Sequence, residues 1–225
     1  DKGAEGVIVT CGSSDIDLVG VETSDNTGAG IRITPGATAI APQRVRVLGG
    51  LARRNVTAAV FCDSGKGHAV IGHRAIDNAA GVGNVYVCNG AGAELAIDDC
   101  SIVDNGTAQA STGGALYVEG AGALLRVTGT TLIAAARTGY SVMFQVTSGR
   151  LEIDGCVFTA GAATSARIGV FAAAGVIVAS RFRMTDGSTA TDAGIYLTGA
   201  TAYARIGDDV DVSSVVTATN RFYVS

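Results

Sequence analysis

The stretch that decides the fold is LAIDDCSIVDN at Leu95–Asn105, which returns in outline as LEIDGCVFTAG at Leu151–Gly161. Each copy begins with alternating apolar positions, continues with two small or acidic residues and a cysteine, and ends with a further apolar step. Alternation with a period of two is typical of a β-strand that buries one face. A cysteine at the same place in both copies indicates one position of a repeating structural unit.

The repeat extends over the entire chain. Apolar-x-apolar steps followed by a Gly-bearing turn begin at Val7, Ile31, Val60, Tyr86, Leu116, Val142, Ile168, Ile195 and Phe222, with spacings of 24 to 30 residues. A second apolar-x-apolar strand follows each step at a constant interval, as Leu95 follows Cys88. A corner residue such as Cys100 or Cys156 then opens a third strand, whose inward residues are Thr23, Ile102, Leu132, Phe158 and Met184.

Three short strands per repeat, with no helical spacing between them, exclude the helix-containing solenoids. A single coil cannot bury its own inner face, so it must stack on the next one. The sequence therefore predicts an all-β fold: a single-stranded, right-handed parallel β-helix solenoid with about nine coils and three parallel sheets. We expect residues 1–225 to form one domain, and the strand edges at both ends predict caps or flanking domains in a longer chain.

Composition narrows the classes of partner. The chain has 225 residues, 16% of them charged, and a net charge of −4, which does not favour nucleic acid or an anionic membrane. The longest apolar run, Ile168–Ala179, is too short to cross a bilayer, so no membrane insertion is expected.

The chemistry-bearing residues predict neither a cofactor nor a metal site. Five cysteines without a CxxC pair favour a reducing compartment, and all five are expected to pack inside the solenoid. His68 and His73 are expected at the surface, pointing to opposite sides of a strand.

The DN pairs at Asp25, Asp77 and Asp104, with Asn55 between the first two, predict a ladder of stacked asparagines; a cation site at Asp77 and Asp104 is the rival interpretation.

The LAIDDCSIVDN signature and its echo resemble coils of the right-handed parallel β-helix, or pectin-lyase-like, superfamily, which includes pectate lyases, polygalacturonases and phage tailspikes. The resemblance covers nearly the whole chain, but it is to a coil pattern and not to a functional motif. It implies, most closely, a segment of a bacteriophage tailspike or tail fibre, which would assemble as a trimer in the host cytosol, where free cysteines are tolerated.

The outward residues of the first strands supply the candidate site. This column is mostly apolar, and we predict that it binds a partner through Phe61, Val87, Tyr117, Met143, Tyr196 and Tyr223. The remaining members are Ile8, Arg32 and Gly169. A sister chain, a sugar polymer or a loop of the same chain are the three possible covers. The outward column of the second strands is predicted to face water and contains Asp17, Arg46, Val70, Ala96, Arg126, Glu152, Val178 and Arg205.

Catalytic residues are not identified by the sequence, which leaves enzymatic activity open. Glycoside hydrolysis needs two carboxyl groups at a controlled separation. The pairs Asp98–Asp99 and Asp208–Asp209 are predicted on exposed corners, away from the first sheet, and Arg32 stands alone as a base for lyase-type chemistry.

Three functions are compatible with these observations. The first hypothesis is a phage or phage-like tail protein that binds host cell-surface polysaccharide as a homotrimer, contacts other tail or baseplate proteins, and resides in the virion tail. The alternative is a secreted pectate-lyase-like polysaccharide lyase or glycoside hydrolase. The second alternative is a bacterial surface adhesin passenger, against which the five cysteines argue because the periplasm is oxidising.

Overall fold

The fold is a parallel β-solenoid. The computed structural model describes residues 4–78, 84–103, 114–134, 141–159, 167–185, 193–212 and 222–224. Within them 24 strands form three parallel sheets of nine, eight and seven strands, and the only helical element is a 3-10 turn at Gly36–Thr38. The prediction of an all-β parallel solenoid with three sheets is confirmed.

Each strand pairs with its counterparts one turn before and one turn after it. The first sheet contains β1 (Val7–Val9), β4 (Ala29–Ile33), β7 (Ala58–Cys62), β10 (Tyr86–Asn89), β13 (Gly114–Glu119), β16 (Ser141–Val146), β19 (Arg167–Ala172), β22 (Ala193–Leu197) and β24 (Phe222–Val224). The second contains β2 (Ser14–Val19), β5 (Gln43–Leu48), β8 (His68–Ile71), β11 (Glu94–Asp98), β14 (Leu124–Thr128), β17 (Arg150–Asp154), β20 (Gly175–Ser180) and β23 (Ala202–Ile206). The third contains β3 (Glu22–Ser24), β6 (Leu51–Arg53), β9 (Arg74–Ile76), β12 (Ser101–Val103), β15 (Thr131–Ile133), β18 (Val157–Thr159) and β21 (Arg183–Thr185).

The number of complete turns is smaller than the sequence predicted. A complete turn needs a strand in every sheet, and the described third sheet has seven strands. The prediction of about nine coils was therefore too high. It counted every strand of the first sheet as a coil, although neither β22 nor β24 is followed by a third-sheet strand among the described residues. After β22 only an isolated parallel bridge joins Asp211 to Arg183 of β21.

The core is a set of columns that run along the solenoid axis. The inward column of the third sheet is buried in every described turn and consists of Thr23, Ala52, Ala75, Ile102, Leu132, Phe158 and Met184. Small side chains fill it in the early turns and large ones in the later turns, where the rings of Phe144 and Phe182 also pack edge to face at 5.8 Å. The prediction that the third-strand residues point inward is confirmed.

The predicted asparagine ladder occupies a corner after the third sheet. Nδ2 of Asn26 donates to Oδ1 of Asn55 at 2.7 Å, and Nδ2 of Asn55 donates to Oδ1 of Asn78 at 2.9 Å. Asn55 and Asn78 are fully buried. The Asn55 amide both accepts and donates along the stack, and Nδ2 of Asn78 donates to the carbonyl oxygen of Ala52 at 2.8 Å. The ladder therefore satisfies polar groups whose burial would otherwise be unfavourable. Asn105 lies outside the described residues.

The left-handed backbone at this corner belongs to the residue before each asparagine. Asp25, Arg54 and Asp77 have φ values of 59°, 52° and 51°. Their side chains point to solvent, where Arg54 forms an ion pair with Asp25 at 2.6 Å. In successive turns this corner therefore places an acidic, a basic and an acidic side chain toward solvent. The asparagine amides stack on its inner side.

The outer surface of the second sheet carries cross-turn ion pairs, as expected of a face in water. Arg46 pairs with Asp17 at 2.7 Å, and Arg126 pairs with Glu152 at 2.8 Å. One member of the predicted column was wrong: Arg46 lies opposite Ala69, and Val70 is fully buried.

Asn55→Ala is expected to lower the free energy of unfolding by about 2–4 kcal/mol, because it leaves the amides of Asn26 and Asn78 without their ladder partner in a buried corner. Urea denaturation followed by circular dichroism measures this loss. The matched control is Arg54→Ala at the neighbouring position, which removes only an exposed ion pair and should cost much less. Equal losses in the two variants would contradict the structural role of the ladder.

Candidate functional site

The outer column of the first sheet contains one residue from each strand. Its register passes through Ile8, Arg32, Phe61, Val87, Tyr117, Gln145, Phe171, Tyr196 and Tyr223. Phe61, Val87, Tyr117 and Tyr196 occupy the positions that the repeat predicted. The backbone places Tyr223 opposite Tyr196, and the side chain of Tyr223 lies outside the described residues.

Met143 does not belong to this column, which corrects the sequence prediction. Tyr117 lies opposite Gln145, and Met143 is fully buried in the main hydrophobic core. Gly169 is also misplaced, since a Cβ there would lie 2.8 Å from the ring of Phe182. The column was misplaced because the run from Val142 to Val146 contains two overlapping apolar-x-apolar steps, and a shift by two residues preserves the alternation. The strand pairing also skips Met143 and Gly169, so the alternation breaks there and both positions face the core. The same shift introduces Phe171, an aromatic residue that the sequence analysis missed.

The chain itself covers part of the column. Val87 is only 1% exposed and forms a cluster with Ala29 and Ala58, against which Phe61 and Tyr117 pack. A second cluster of Val142, Ile168 and Ala193 lies beneath Phe171 and Tyr196. The rings of Phe171 and Tyr196 meet edge to face at 5.5 Å. The column is therefore a row of half-exposed aromatic rings over a small apolar layer, and not an open apolar patch.

The hydroxyl group of Tyr117 in this row has two hydrogen-bond partners. It donates to Oε2 of Glu119 at 2.6 Å and lies 3.1 Å from Oγ1 of Thr147. Burial, and then the hydrogen bond to the Glu119 carboxylate, raise the pKa of Tyr117 to about 12. Tyr117 is therefore a neutral hydroxyl held beside the half-buried carboxylate of Glu119.

Arg32 forms the charged end of the column. Its Nε lies 2.8 Å from Asp63 and its NH1 lies 3.1 Å from Glu5, while its guanidinium group lies 5.3 Å from the centre of the Phe61 ring. Burial acts to lower the pKa of Arg32, but the hydrogen bonds to Asp63 and Glu5 outweigh it and raise that pKa. Arg32 does not stand alone, as the sequence suggested, and its neighbours make it a poorer base.

The described carboxyl groups are not arranged as a glycosidase pair. Asp99 has a left-handed φ of 48°, and Asp99, Asp208 and Asp209 are exposed at turns, as predicted. Asp98 instead is a half-buried residue at the end of β11, so its predicted place on an exposed corner was wrong. Glu152 and Asp154 lie on one face of β17, beside a shallow groove of about 230 Å³ that is also lined by Arg126, Val178 and Ser180. A hydrolytic acid needs a raised pKa. These two groups have the opposite shift.

Arginine contacts explain why these two carboxyls stay ionised. For Glu152, burial acts to raise the pKa, but hydrogen bonds from Arg126 and Arg150 outweigh it and lower that pKa. For Asp154, the hydrogen bonds from Arg181 and Ser180 lower the pKa. Neither carboxyl group is set up to hold a proton near neutral pH.

The described ranges contain no group of three or more His, Cys, Asp or Glu side chains close enough to hold a metal ion. Asp77 is exposed at its turn, and its proposed partner Asp104 lies outside the described residues. No described helix has the length and apolar character needed to cross a membrane.

His68 is buried, which corrects the prediction that it lies at the surface. It is 2% exposed, and its Nδ1 accepts a hydrogen bond from the backbone N–H of Val45 at 3.1 Å. Its Nε2 therefore carries the proton and donates to the carbonyl oxygen of Ser64 at 3.0 Å. Burial lowers the pKa of His68, so the ring is neutral and links two turns through its hydrogen bonds.

His73 is also buried, at 1% exposed, and occupies the same corner position as Cys100 one turn later. Its Nδ1 lies 2.8 Å from the hydroxyl of Tyr86, which is itself fully buried. Its Nε2 is buried and has no hydrogen-bond partner in the described part of the chain. Burial lowers the pKa of His73 to about 4 and raises that of Cys100 to about 11. This corner is a buried, uncharged polar cluster.

The cysteines follow the prediction except at one position. Cys62, Cys88, Cys100 and Cys156 are buried, and all five thiols are free. Cys11 is exposed in a turn with a left-handed φ of 60°, so its assignment to the core was wrong. It has the parity of the inward residues, but the turn after β1 breaks the alternation.

Known proteins do not identify this chain: no protein-family model, curated protein or solved structure matches it.

The stability of the chain is expected to fall as the pH drops from about 6.5 to about 4, because unfolded His73 binds a proton there and the buried ring does not. The contribution of His73 is fully present above pH 6.5, and about 3 kcal/mol of it is lost by pH 4. Urea denaturation of the native chain and of His73→Gln at pH 7.5 and pH 4.5 measures it. The glutamine can keep a hydrogen bond to Tyr86 but does not titrate.

The variant is expected to retain the acid sensitivity of His68 and of the surface ion pairs, and to lose only the share due to His73. An identical pH dependence in the two proteins would show that burial of His73 does not destabilise the acid form.

Proposed function

We propose that this chain is the β-solenoid segment of a phage or phage-like tailspike or tail fibre, with right-handed coils of the pectin-lyase-like type. In this proposal it binds host cell-surface polysaccharide as a homotrimer, attached to other tail or baseplate proteins in the virion tail. The outer surface of the first sheet is the proposed contact surface.

The observation that carries the proposal is the row of half-exposed rings of Phe61, Tyr117, Phe171 and Tyr196 on consecutive or alternate turns of one sheet. Neighbouring turns are about 4.8 Å apart, so the rings form a rigid strip along the solenoid. Aromatic faces combine apolar area with little loss of side-chain entropy on binding. Such a strip suits an extended ligand whose units have one apolar face, as sugar rings do.

Polar groups beside the rings support a glycan as the occupant. Glu119 and Thr147 adjoin the Tyr117 hydroxyl, and the carboxylates of Glu5 and Asp63 adjoin the guanidinium group of Arg32. Hydroxyl groups of a sugar both donate and accept hydrogen bonds. A sugar hydroxyl can therefore donate to the carboxylates of Glu119, Glu5 or Asp63 and accept from the guanidinium group of Arg32. It does so without bringing a charge into the interface.

The same geometry limits how much of the sheet a trimer interface would bury. Val87 and Gln145 are already covered by their own chain, at 1% and 7% exposed. A three-fold contact on this surface would thus rest on the aromatic rings and on Ile8, which is 55% exposed. Sugar binding and trimer contact would use the same rings, so the two roles are distinguished by measuring sugar binding and oligomer mass on the same ring variants.

An enzymatic function gains no support from the described residues. Glu152 and Asp154 are held ionised by arginines, and Arg32 is held protonated by two carboxylates. A hydrolase needs one carboxyl group that keeps its proton, and a lyase needs a base that gives it up. We therefore favour binding over catalysis as the role of this surface.

Tyr117→Ser and Tyr196→Ser are expected to weaken the binding of bacterial O-antigen and capsular oligosaccharides at least tenfold, since each removes a ring from the strip. Binding on an oligosaccharide array and oligomer mass by light scattering are measured on the same samples. Tyr203→Ser is the matched control, because Tyr203 is 61% exposed on the second sheet, away from the strip.

Tyr117→Phe tests the hydroxyl group separately from the ring. A fall in oligomer mass in the serine variants, with unchanged sugar binding by the remaining monomer, would assign the strip to the trimer interface. No change in either measurement would refute the proposed contact surface.

A further inference from the structure

We propose that Cys62 and Cys88 form a disulfide between adjacent turns when the chain meets a small disulfide such as glutathione disulfide. The bond would join β7 to β10 inside the solenoid and would act as a slow covalent staple. This inference goes beyond the proposed function and does not depend on glycan binding.

Register brings the two thiols together. Cys62 and Cys88 are direct partners in the parallel pairing of β7 with β10, and both are fully buried in the main core. Parallel strands are about 4.8 Å apart, which lies inside the range of Cα separations that disulfides span. The adjoining turns place Ile33 before Cys62 and Val118 after Cys88, so the pair is closed off at both ends of its column.

The two thiols already interact with each other, and their other contacts are weak. Sγ of Cys62 also lies 3.5 Å from the carbonyl oxygen of Ser64, and Sγ of Cys88 lies 3.5 and 3.6 Å from the carbonyl oxygens of Ala93 and Leu124. Thiols are weak donors, so little is lost when these contacts are exchanged for a covalent bond.

The other cysteines cannot form this bond within one chain, and they serve as internal controls. Cys100 and Cys156 share a corner column, but Thr130 lies between them on the intervening turn. Two strand spacings separate their Cα atoms by about 10 Å, beyond the reach of a disulfide. Cys11 is exposed near the start of the solenoid.

The reaction is a thiol–disulfide exchange in two steps. The thiolate of one cysteine attacks glutathione disulfide, forms a mixed disulfide and releases one glutathione thiolate. The second cysteine, as its thiolate, then attacks the protein sulfur of the mixed disulfide and releases the second glutathione thiolate. The two cysteines are oxidised, one glutathione disulfide is reduced to two thiols, and the two protons lost by the cysteines pass to the released glutathione.

Exchange in the folded chain is slow for a physical reason. A hydrogen bond with the Cys88 thiol, together with burial, raises the pKa of Cys62, so the reactive thiolate is scarce at neutral pH. The pair therefore stays reduced in a reducing compartment and becomes linked only after long exposure to an oxidising one. Once formed, the bond closes a loop across one full turn and constrains the unfolded chain.

The test uses the full chain with Cys11→Ser, which removes the exposed thiol that could link two molecules. One sample is refolded from urea in a buffer of reduced and oxidised glutathione, and a second native sample is kept in the same buffer at pH 8.5. Free thiols are then alkylated, and the chain is cut with trypsin and glutamyl endopeptidase. Cleavage after Lys66, Arg74 and Glu94 places Cys62, Cys88 and Cys100 in separate peptides.

We expect a Cys62–Cys88 cross-linked peptide that disappears on reduction, with Cys100 and Cys156 alkylated. The linked chain should melt on the order of 5 °C higher than the reduced chain. A Cys88→Ala variant should show neither the link nor the rise, whereas Cys156→Ala should show both. The proposal is overturned if, after refolding, Cys62 and Cys88 are alkylated as completely as Cys100, or are linked no more often than other cysteine pairs.

Discussion

The structure depends on one constraint: no turn of this chain can bury its own inner face. Each turn is three short strands and their corners, so its apolar residues meet partners only when the next turn lies on it in register. Parallel pairing at a constant spacing then forces like positions into columns, as Thr23 through Met184 show in the third sheet. Packing, polar satisfaction and thiol contacts in the interior are therefore decided by the neighbour one turn away and not by the neighbour in sequence.

Polar residues lie in the interior where residues on adjacent turns supply their hydrogen-bond partners. The amides of Asn26, Asn55 and Asn78 serve each other along one corner. His68 bridges two turns through both ring nitrogens, and His73 forms a hydrogen bond with the hydroxyl of Tyr86. Because the surroundings cannot support a charge, both rings are held neutral. The early turns thus combine polar ladders with small alanines, whereas the later turns rely on phenylalanine rings.

The outer surfaces of the first and second sheets differ in composition. The second sheet faces water and balances its charges across turns, as between Arg126 and Glu152. The first sheet instead packs its own aromatic rings over a thin apolar layer, leaving a strip of half-exposed rings. Function in a solenoid lies in such a surface, since the interior is fully used by packing. Binding is therefore expected at the rings of the first sheet, whereas the Cys62–Cys88 pair belongs to the interior.

The sequence by itself determined the repeat, the three parallel sheets, the inward third-strand column, the asparagine ladder and the burial of Cys62, Cys88, Cys100 and Cys156. A period of two and a recurring turn are local properties, and they can be read without knowing which turns touch. The same phase rule placed His73 at the corner position of Cys100, so its burial was also predictable. The sequence analysis overlooked this because the residue is polar.

Only the tertiary structure decided the register between turns and the cover of each surface. A shift by two residues leaves the alternation unchanged, so the choice of Gln145 over Met143 beside Tyr117 required the actual pairing of β13 with β16. The contacts of Arg32 with Glu5 and Asp63, and the shielding of Val87, likewise join residues from different turns. Local pattern shows which way a side chain points, whereas its partners depend on loop lengths that set how consecutive turns align.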